Sequence, residues 1–141
     1  MDQVPLVSEQ IEDGAKLVAR LKTEGFPVTA AAWVKESDGG SWYLYLVSPA
    51  VDGRDPREGY RRLLAVIRQM PPPFRVDRFE VKLIGPSEPI ARAIAAIRDR
   101  SAGRSGTWDQ GGNLGMLPVD AAYVYAPNNA THSSDAPPGA A

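Results

Sequence analysis

The stretch that decides the fold is FPVTAAAWVKESDGGSWYLYLVSP, residues 26–49. It predicts two strands, residues 28–35 and 42–48, joined by a turn at residues 36–40, where Asp-Gly and Gly-Gly tolerate positive φ. Both faces of this pair are apolar, whereas a small antiparallel hairpin usually has one face in water. We therefore predict a sheet that is covered on both sides, either by other parts of the chain or by a partner.

Alternation along the two strands assigns their side chains to opposite faces of the sheet. One face is expected to pack beneath helices, against Phe79, Val81 and Leu83 of a later strand. Its hairpin residues are Val28, Ala30, Ala32, Trp42, Leu44 and Leu46. The other face carries Trp33, Tyr43 and Tyr45. Tyr123 and Tyr125 are the candidates within the chain to cover that second face, and a partner is the alternative.

Helical spacing and capping residues predict three helices, over residues 8–24, 55–69 and 87–100. The clearest local signal is at the start of the second helix. There Asp55 fits the N-cap, Pro56 the first helical position and Glu58 the reciprocal position of a capping box. Gly25 suits the end of the first helix, because glycine adopts the left-handed conformation without strain.

A third strand is predicted over residues 76–84, where apolar and charged side chains alternate, and residues 121–125 are a candidate late strand. The order α-β-β-α-β-α predicts an α+β two-layer sandwich: a small mixed or antiparallel sheet with helices on one face. The predicted organisation is a loose leader (1–7), an α+β domain (8–102), a glycine-rich arm (103–126) and a disordered tail (127–141).

Composition bounds the chemistry. The 141 residues suffice for one domain with its own core. No cysteine is present, which excludes thiol catalysis and thiolate metal sites and fits a reducing compartment. The single histidine, His132, lies in the predicted tail, so no metal site or cofactor is predicted. The first residues show no signal-peptide pattern, and the sequence has no apolar run of about 18 residues, so we expect a cytoplasmic protein without a membrane span.

Glu80 and Lys82 form the sharpest enzymatic hypothesis. An acid two residues before a lysine on a strand is the last part of the PD-(D/E)xK nuclease signature, in which the acid binds a divalent metal and the lysine activates water. A second acid must come from a neighbouring strand, and the candidates are Asp38, Asp52 and Asp55. The alternative is that Arg78, Glu80 and Lys82 form a polar strand face that makes cross-strand ion pairs.

A second hypothesis places single-stranded nucleic acid on the sheet. Trp33, Tyr43, Tyr45 and Arg78 would form an aromatic and cationic platform if their strands are neighbours. The Arg-rich helix over residues 57–68 would add phosphate contacts, within a region, residues 54–104, that carries twelve Lys or Arg against six Asp or Glu. The overall pI of 5.8 argues against this role, because such domains are usually basic.

The interpretation that best fits the apolar second face is protein association. A sheet face that the chain leaves uncovered is a contact surface for another protein or for a second copy. The arm, residues 103–126, is the segment that would either cover this face or contribute to the contact. We therefore predict a non-catalytic interaction or accessory module that works through the sheet face or the arm.

Overall fold

The computed structural model describes residues 8–37, 41–53, 55–100, 106–110 and 112–126. The helices are α1 (Ser8–Thr23), α2 (Arg57–Gln69) and α3 (Pro89–Arg100). The strands are β1 (Ala30–Glu36), β2 (Trp42–Val47), β3 (Val81–Ile84), β4 (Gly106–Gln110), β5 (Asn113–Leu114) and β6 (Leu117–Tyr125). The predicted leader (1–7) and tail (127–141) lie outside the described residues.

The strands form one mixed sheet in the order β3-β2-β1-β6-β4, and β5 pairs with β6 at one end. β1 and β2 are antiparallel, as the hairpin sequence predicts, whereas β3 runs parallel to β2 after the α2 crossover. The predicted α+β sandwich with a mixed sheet is thereby confirmed. Among the described helices, none is long and apolar enough to cross a bilayer.

The prediction that all helices lie on one face is wrong. Leu17 and Leu21 of α1 pack with Leu63 of α2 on one side, which we call the α1/α2 face. Ile94 and Ile97 of α3 pack on the other, which we call the α3 face. Both faces of β1 and β2 are apolar because helices bury both of them, α1 and α2 on one side and α3 on the other.

The predicted pairing of faces within the hairpin is also wrong. Trp33 lies opposite Leu44, and Ala31 lies opposite Leu46. Consequently Ala31 and Trp33 join the leucines of β2 on the α1/α2 face, whereas Ala30 and Ala32 lie on the α3 face. Directly opposed residues share a face, so a register that differs by one residue moves a whole set of side chains to the other side.

The third strand is shorter than predicted, and Phe79 is not in the core. Asp77 begins a 3-10 turn over Arg78–Glu80, in which the Asp77 and Glu80 side chains cap each other's backbone. The turn directs Phe79 outward, where it is 76% exposed. Val81 and Leu83 follow on β3 and are buried, as expected.

The arm is part of the sheet. Its strand β6 lies between β1 and β4 and covers the range of the predicted late strand. Ala122 and Val124 of β6 pack against the α3 face together with Leu114 of β5. The arm, which is far from the first hairpin in the sequence, therefore completes the core of the α3 face.

Candidate functional site

The four residues of the predicted aromatic platform do not share a face. Trp33 is fully buried on the α1/α2 face, whereas Tyr45 belongs to the core of the α3 face and Tyr43 packs against it. Arg78 lies in the 3-10 turn, with its guanidinium 4.8 Å from the centre of the Phe79 ring. The register of β1 and β2 separates Trp33 from the two tyrosines, so this platform is not formed.

Trp33 has a structural environment. Its indole Nε1 donates to the Tyr125 hydroxyl at 3.0 Å, and that hydroxyl donates to the Ile11 carbonyl at 2.6 Å. Gly14 leaves room for the contact, since a Cβ there would meet the Tyr125 hydroxyl and lie 3.0 Å from Trp33 Nε1. Burial raises the pKa of Tyr125, so the phenol stays protonated as this chain of hydrogen bonds requires. The arm residue Tyr125 thus ties β1 to α1.

Tyr43 and Tyr45 instead surround an ion pair on the α3 face. Lys82 Nζ donates to Glu36 Oε2 at 2.9 Å, and the Tyr45 hydroxyl donates to the same oxygen at 2.5 Å. Lys82 Nζ also lies 4.3 Å from the centre of the Tyr43 ring, which is a cation–π distance. This cluster connects β1, β2 and β3 across the sheet.

The charge states of the cluster follow from these contacts. Burial raises the pKa of Glu36, but the hydrogen bonds from Tyr45 and Lys82 and the Lys82 charge outweigh it, so the net pKa lies below the usual value. Burial and the neighbouring Glu36 carboxylate raise the pKa of Tyr45. Near neutral pH the carboxylate is ionised and the phenol is protonated, an arrangement suited to holding three strands together.

The nuclease constellation is not assembled by the described residues. Glu80 belongs to the capping box of the 3-10 turn, and burial raises the pKa of its carboxyl. Asp52 accepts hydrogen bonds from the backbone and side chain of Ser87, and Asp55 pairs with Arg57. The third candidate acid, Asp38, lies outside the described residues. Within the described ranges no three His, Cys, Asp or Glu side chains are grouped to hold a metal ion.

The outer edge of β3 is closed by its own chain. The backbone N–H of Leu83 donates to the Tyr60 hydroxyl of α2 at 2.9 Å. The backbone N–H of Val81 is bonded to the Arg78 carbonyl within the 3-10 turn. Since both outward donors are already satisfied, an incoming strand finds no free backbone donor on this side of β3, and pairing there is disfavoured.

The outer edge of β4 differs, because β4 is the last strand of the sheet and pairs only with β6 among the described residues. Trp108, at its midpoint, is 50% exposed. Its ring makes edge-to-face contacts with Trp42, at 6.2 Å between ring centres, and with Tyr123, at 5.1 Å. We call Trp42, Trp108, Tyr123 and Tyr125 the aromatic row, since the last two also meet edge to face.

Alternation of the ladder indicates where the backbone of Trp108 points. The Val47 carbonyl accepts a hydrogen bond from the Thr29 N–H, so the backbone N–H and C=O groups of Val47 face β1. The same holds for every second residue of β2 counted from Val47. The backbone groups of Leu44 therefore face β3, and those of its partner Trp33 face β6. Trp33 pairs with Tyr123, so the backbone groups of Tyr123 face β1 and point away from its other partner, Trp108. The N–H and C=O of Trp108 therefore point away from β6, toward the outer edge.

A second surface lies beside the closed edge. Tyr60, Leu64, Arg78, Phe79 and Val81 line an open groove of about 440 Å³ between α2 and the 3-10 turn. The groove has an apolar floor, and the exposed Phe79 ring with its stacked Arg78 forms its rim. The sequence prediction placed Phe79 in the core and named Trp108 in no role. Two sequence signals could have indicated these exposed residues: Asp77, which can cap a turn that contains Phe79, and the position of Trp108 within a glycine-rich arm.

Comparisons with known proteins assign this chain to no family. No protein-family model matches the sequence, and neither a curated protein nor a solved structure does.

Proposed function

We propose that the protein is a non-catalytic interaction module that binds an extended segment of a protein partner along the outer edge of β4. The observation that carries this proposal is the half-exposed Trp108 at the middle of an outer strand that pairs on one side only among the described residues. An extended segment could add to this edge through main-chain hydrogen bonds, and Trp108 would contact one of its side chains.

Two physical arguments support this role. An outer strand with unpaired backbone groups is a template for pairing, and natural sheets usually protect such edges with charges, proline or a covering element. β4 carries a single charged side chain, Asp109, and no proline. In addition, tryptophan is enriched among the residues that dominate the binding energy of protein interfaces.

The position of β4 in the arm agrees with the hypothesis drawn from the sequence. The arm, residues 103–126, contributes both the strand β6 that completes the core and the strand β4 that ends the sheet. A partner on β4 would therefore sit on a rigid support, since β6 is held between two neighbouring strands. Such pre-organisation lowers the ordering cost of binding.

The test is a screen of the full chain against a library of extended peptides, followed by titration of the peptides that bind. We expect Trp108→Lys to weaken binding more than tenfold, because it removes an aromatic contact and adds a charge at the edge. Met116→Lys is the matched control, since Met116 is an 84% exposed apolar residue of the same arm away from β4. Equal affinity of both variants would refute the β4 site.

A second candidate function, single-stranded nucleic-acid binding, is favoured by a different observation. The exposed Phe79 ring with Arg78 stacked beside it offers one base a stacking surface, and residues 54–104 around it carry a net positive charge. Titration of a labelled single-stranded oligonucleotide tests this role. We expect salt-dependent binding that falls about tenfold in Phe79→Ala. Absence of binding at low salt would end this candidate.

A further inference from the structure

We infer that the strand which pairs with β4 is β4 of a second copy, antiparallel to the first, about a two-fold axis at Trp108. This inference rests on the proposed function, because it names the partner of the same edge. β4 has five residues, Gly106–Gln110, and Trp108 is the third. A two-fold axis at this midpoint pairs all five residues of both strands, whereas an axis at any other residue leaves end residues unpaired.

The two-fold register sets every opposing pair. Trp108 faces Trp108 of the second copy, and Thr107 faces Asp109 of the second copy twice, once on each side of the axis. Because the backbone groups of Trp108 point outward, the central pair can exchange two hydrogen bonds with each other. The aromatic rows of both copies then meet at the axis, which removes the exposed half of each Trp108 ring from water.

Charge favours this register. Asp109 is the single charged residue of β4, and in the two-fold pairing it faces a threonine instead of its own copy. A shift of two residues would bring two Asp109 side chains directly opposite each other, and like charges at opposed positions are unfavourable. The sequence of β4 therefore favours the register centred on Trp108 over the register centred on Asp109.

The closed edge explains why association stops at two copies. A two-fold contact uses the same edge of both chains and leaves none of the β4 edge for a third. The far end of each sheet is β3, whose outward N–H groups are held by Tyr60 and by the 3-10 turn. A sheet with one open and one closed edge yields a dimer, whereas two open edges would permit a growing ribbon.

The first experiment measures the mass of the full chain in solution by light scattering and sedimentation over a range of concentrations. We expect a species of twice 15.2 kDa that shifts to the single chain mass in Trp108→Lys but not in Met116→Lys. A monomer at every concentration would overturn the inference. If peptide binding still depended on Trp108, the proposed function would stand with a different partner.

The second experiment tests the register by exchanging charges. Thr107→Asp places the introduced carboxylate opposite Asp109 of the second copy, and we expect dimerisation to weaken at least tenfold. Adding Asp109→Lys to the same chain creates opposite charges at both symmetric positions and should restore the dimer. Circular dichroism of each variant checks that the fold is intact. A double variant that stays as weak as Thr107→Asp would overturn the register.

A third experiment uses the absence of cysteine in the chain. Thr107→Cys and Asp109→Cys proteins are prepared separately and mixed under oxidising conditions. In the two-fold register the introduced thiols lie opposite each other only between different variants, so the mixture should give a crosslinked dimer at several times the yield of either variant alone. Equal yields in the mixture and in the separate samples would contradict antiparallel pairing about Trp108.

Discussion

The two edges of the sheet are built differently. At the β3 edge, Tyr60 of α2 accepts a backbone N–H and the 3-10 turn satisfies another. At the β4 edge, the described residues provide no such cover, and a tryptophan stands half exposed at the middle of the strand. One end of the sheet is thus protected from pairing by its own chain, and the other end has the features of a contact surface.

The difference shows how an asymmetric sheet can direct association. β3 is reached through a helical crossover, so α2 lies next to its edge and can supply a capping hydroxyl. β4 and β6 belong to the arm, which follows α3, and β6 ends at Tyr125. The edge that has an adjacent helix is capped by it, whereas among the described residues no helix supplies such a cap to the edge formed by the arm.

The largest effect expected on stability is at the closed edge, from Gly85→Ala. A Cβ at Gly85 would lie 2.6 Å from Asp52 Cα, which is main chain and cannot move aside cheaply. We expect a loss of about 3 kcal/mol in the free energy of unfolding, the upper part of the range for overpacking. Urea denaturation measures it.

Gly106→Ala is the counterpart at the open edge. Its Cβ would clash with the Tyr123 ring, a side chain that can shift, so we expect a loss of about 1–2 kcal/mol. A larger loss at Gly106 than at Gly85 would show that the open edge is the more rigid of the two.

The next effect is the loss of the capping hydroxyl in Tyr60→Phe. The ring stays, but the part-buried N–H of Leu83 loses its acceptor, and we expect a cost of about 1–2 kcal/mol. Hydrogen exchange at the Leu83 amide should accelerate in parallel. Tyr43→Phe is the matched control, because Tyr43 contacts Lys82 through its ring. Unchanged exchange at Leu83 would mean that the hydroxyl does not protect this edge.

A smaller effect is expected from the two exposed aromatic residues. Trp108→Ala removes two edge-to-face contacts and should cost about 1 kcal/mol in the stability of the single chain. Phe79→Ala, at a more exposed position, should change stability by less than about 0.5 kcal/mol. Denaturant titration at a concentration that keeps the chain monomeric separates the two. Equal costs would mean that the contacts of Trp108 add nothing to the fold.

A further small effect is the pH-dependent contribution of Glu36, which links β1 to β3. The pKa of Glu36 in the folded chain lies below its unfolded value, so its stabilisation is present above the unfolded value and is lost as pH falls through the folded value. Glu36→Gln should therefore cost about 0.5–1 kcal/mol near neutral pH, as expected for a partly exposed pair.

The difference between Glu36→Gln and the native chain should shrink in acid, once the pH falls through the lowered folded-state pKa of Glu36, because the native carboxyl then also becomes neutral. Thermal unfolding of both proteins from neutral pH into acid measures it. Asp99→Asn is a suitable control, because Asp99 makes an ion pair with Arg98 at the surface. A difference that stays constant into acid would mean that the Glu36 charge does not carry the effect.

Much of the secondary structure could be predicted from local signals. The two strands of the first hairpin, the α2 start near Pro56 and the late strand are all observed close to their predicted ranges. The end of β3 was also correct, but its start was not. Asp77 caps a 3-10 turn, and this local hydrogen bonding competes with strand formation. The alternation of apolar and charged residues gives no sign of the turn.

The candidate sites were predictable only in part. The predicted polar strand face is not formed, because Arg78 and Glu80 lie in the 3-10 turn. Lys82 does make an ion pair, as the alternative to the nuclease predicted, and its partner is Glu36 of β1. Trp33 was placed with Tyr43 and Tyr45 because the register was one residue off. Trp108 had no predicted role, since nothing local shows that its strand ends a sheet.

The sequence by itself determined the helices, the hairpin and the need for cover on both faces of the sheet, because these depend on spacing and capping over a few residues. The tertiary structure alone decided which face α3 covers, how β1 and β2 are registered, and which of the described strands end the sheet. These features depend on contacts between residues far apart in the chain, such as Trp33 with Tyr125 and Tyr60 with Leu83, which no local pattern encodes.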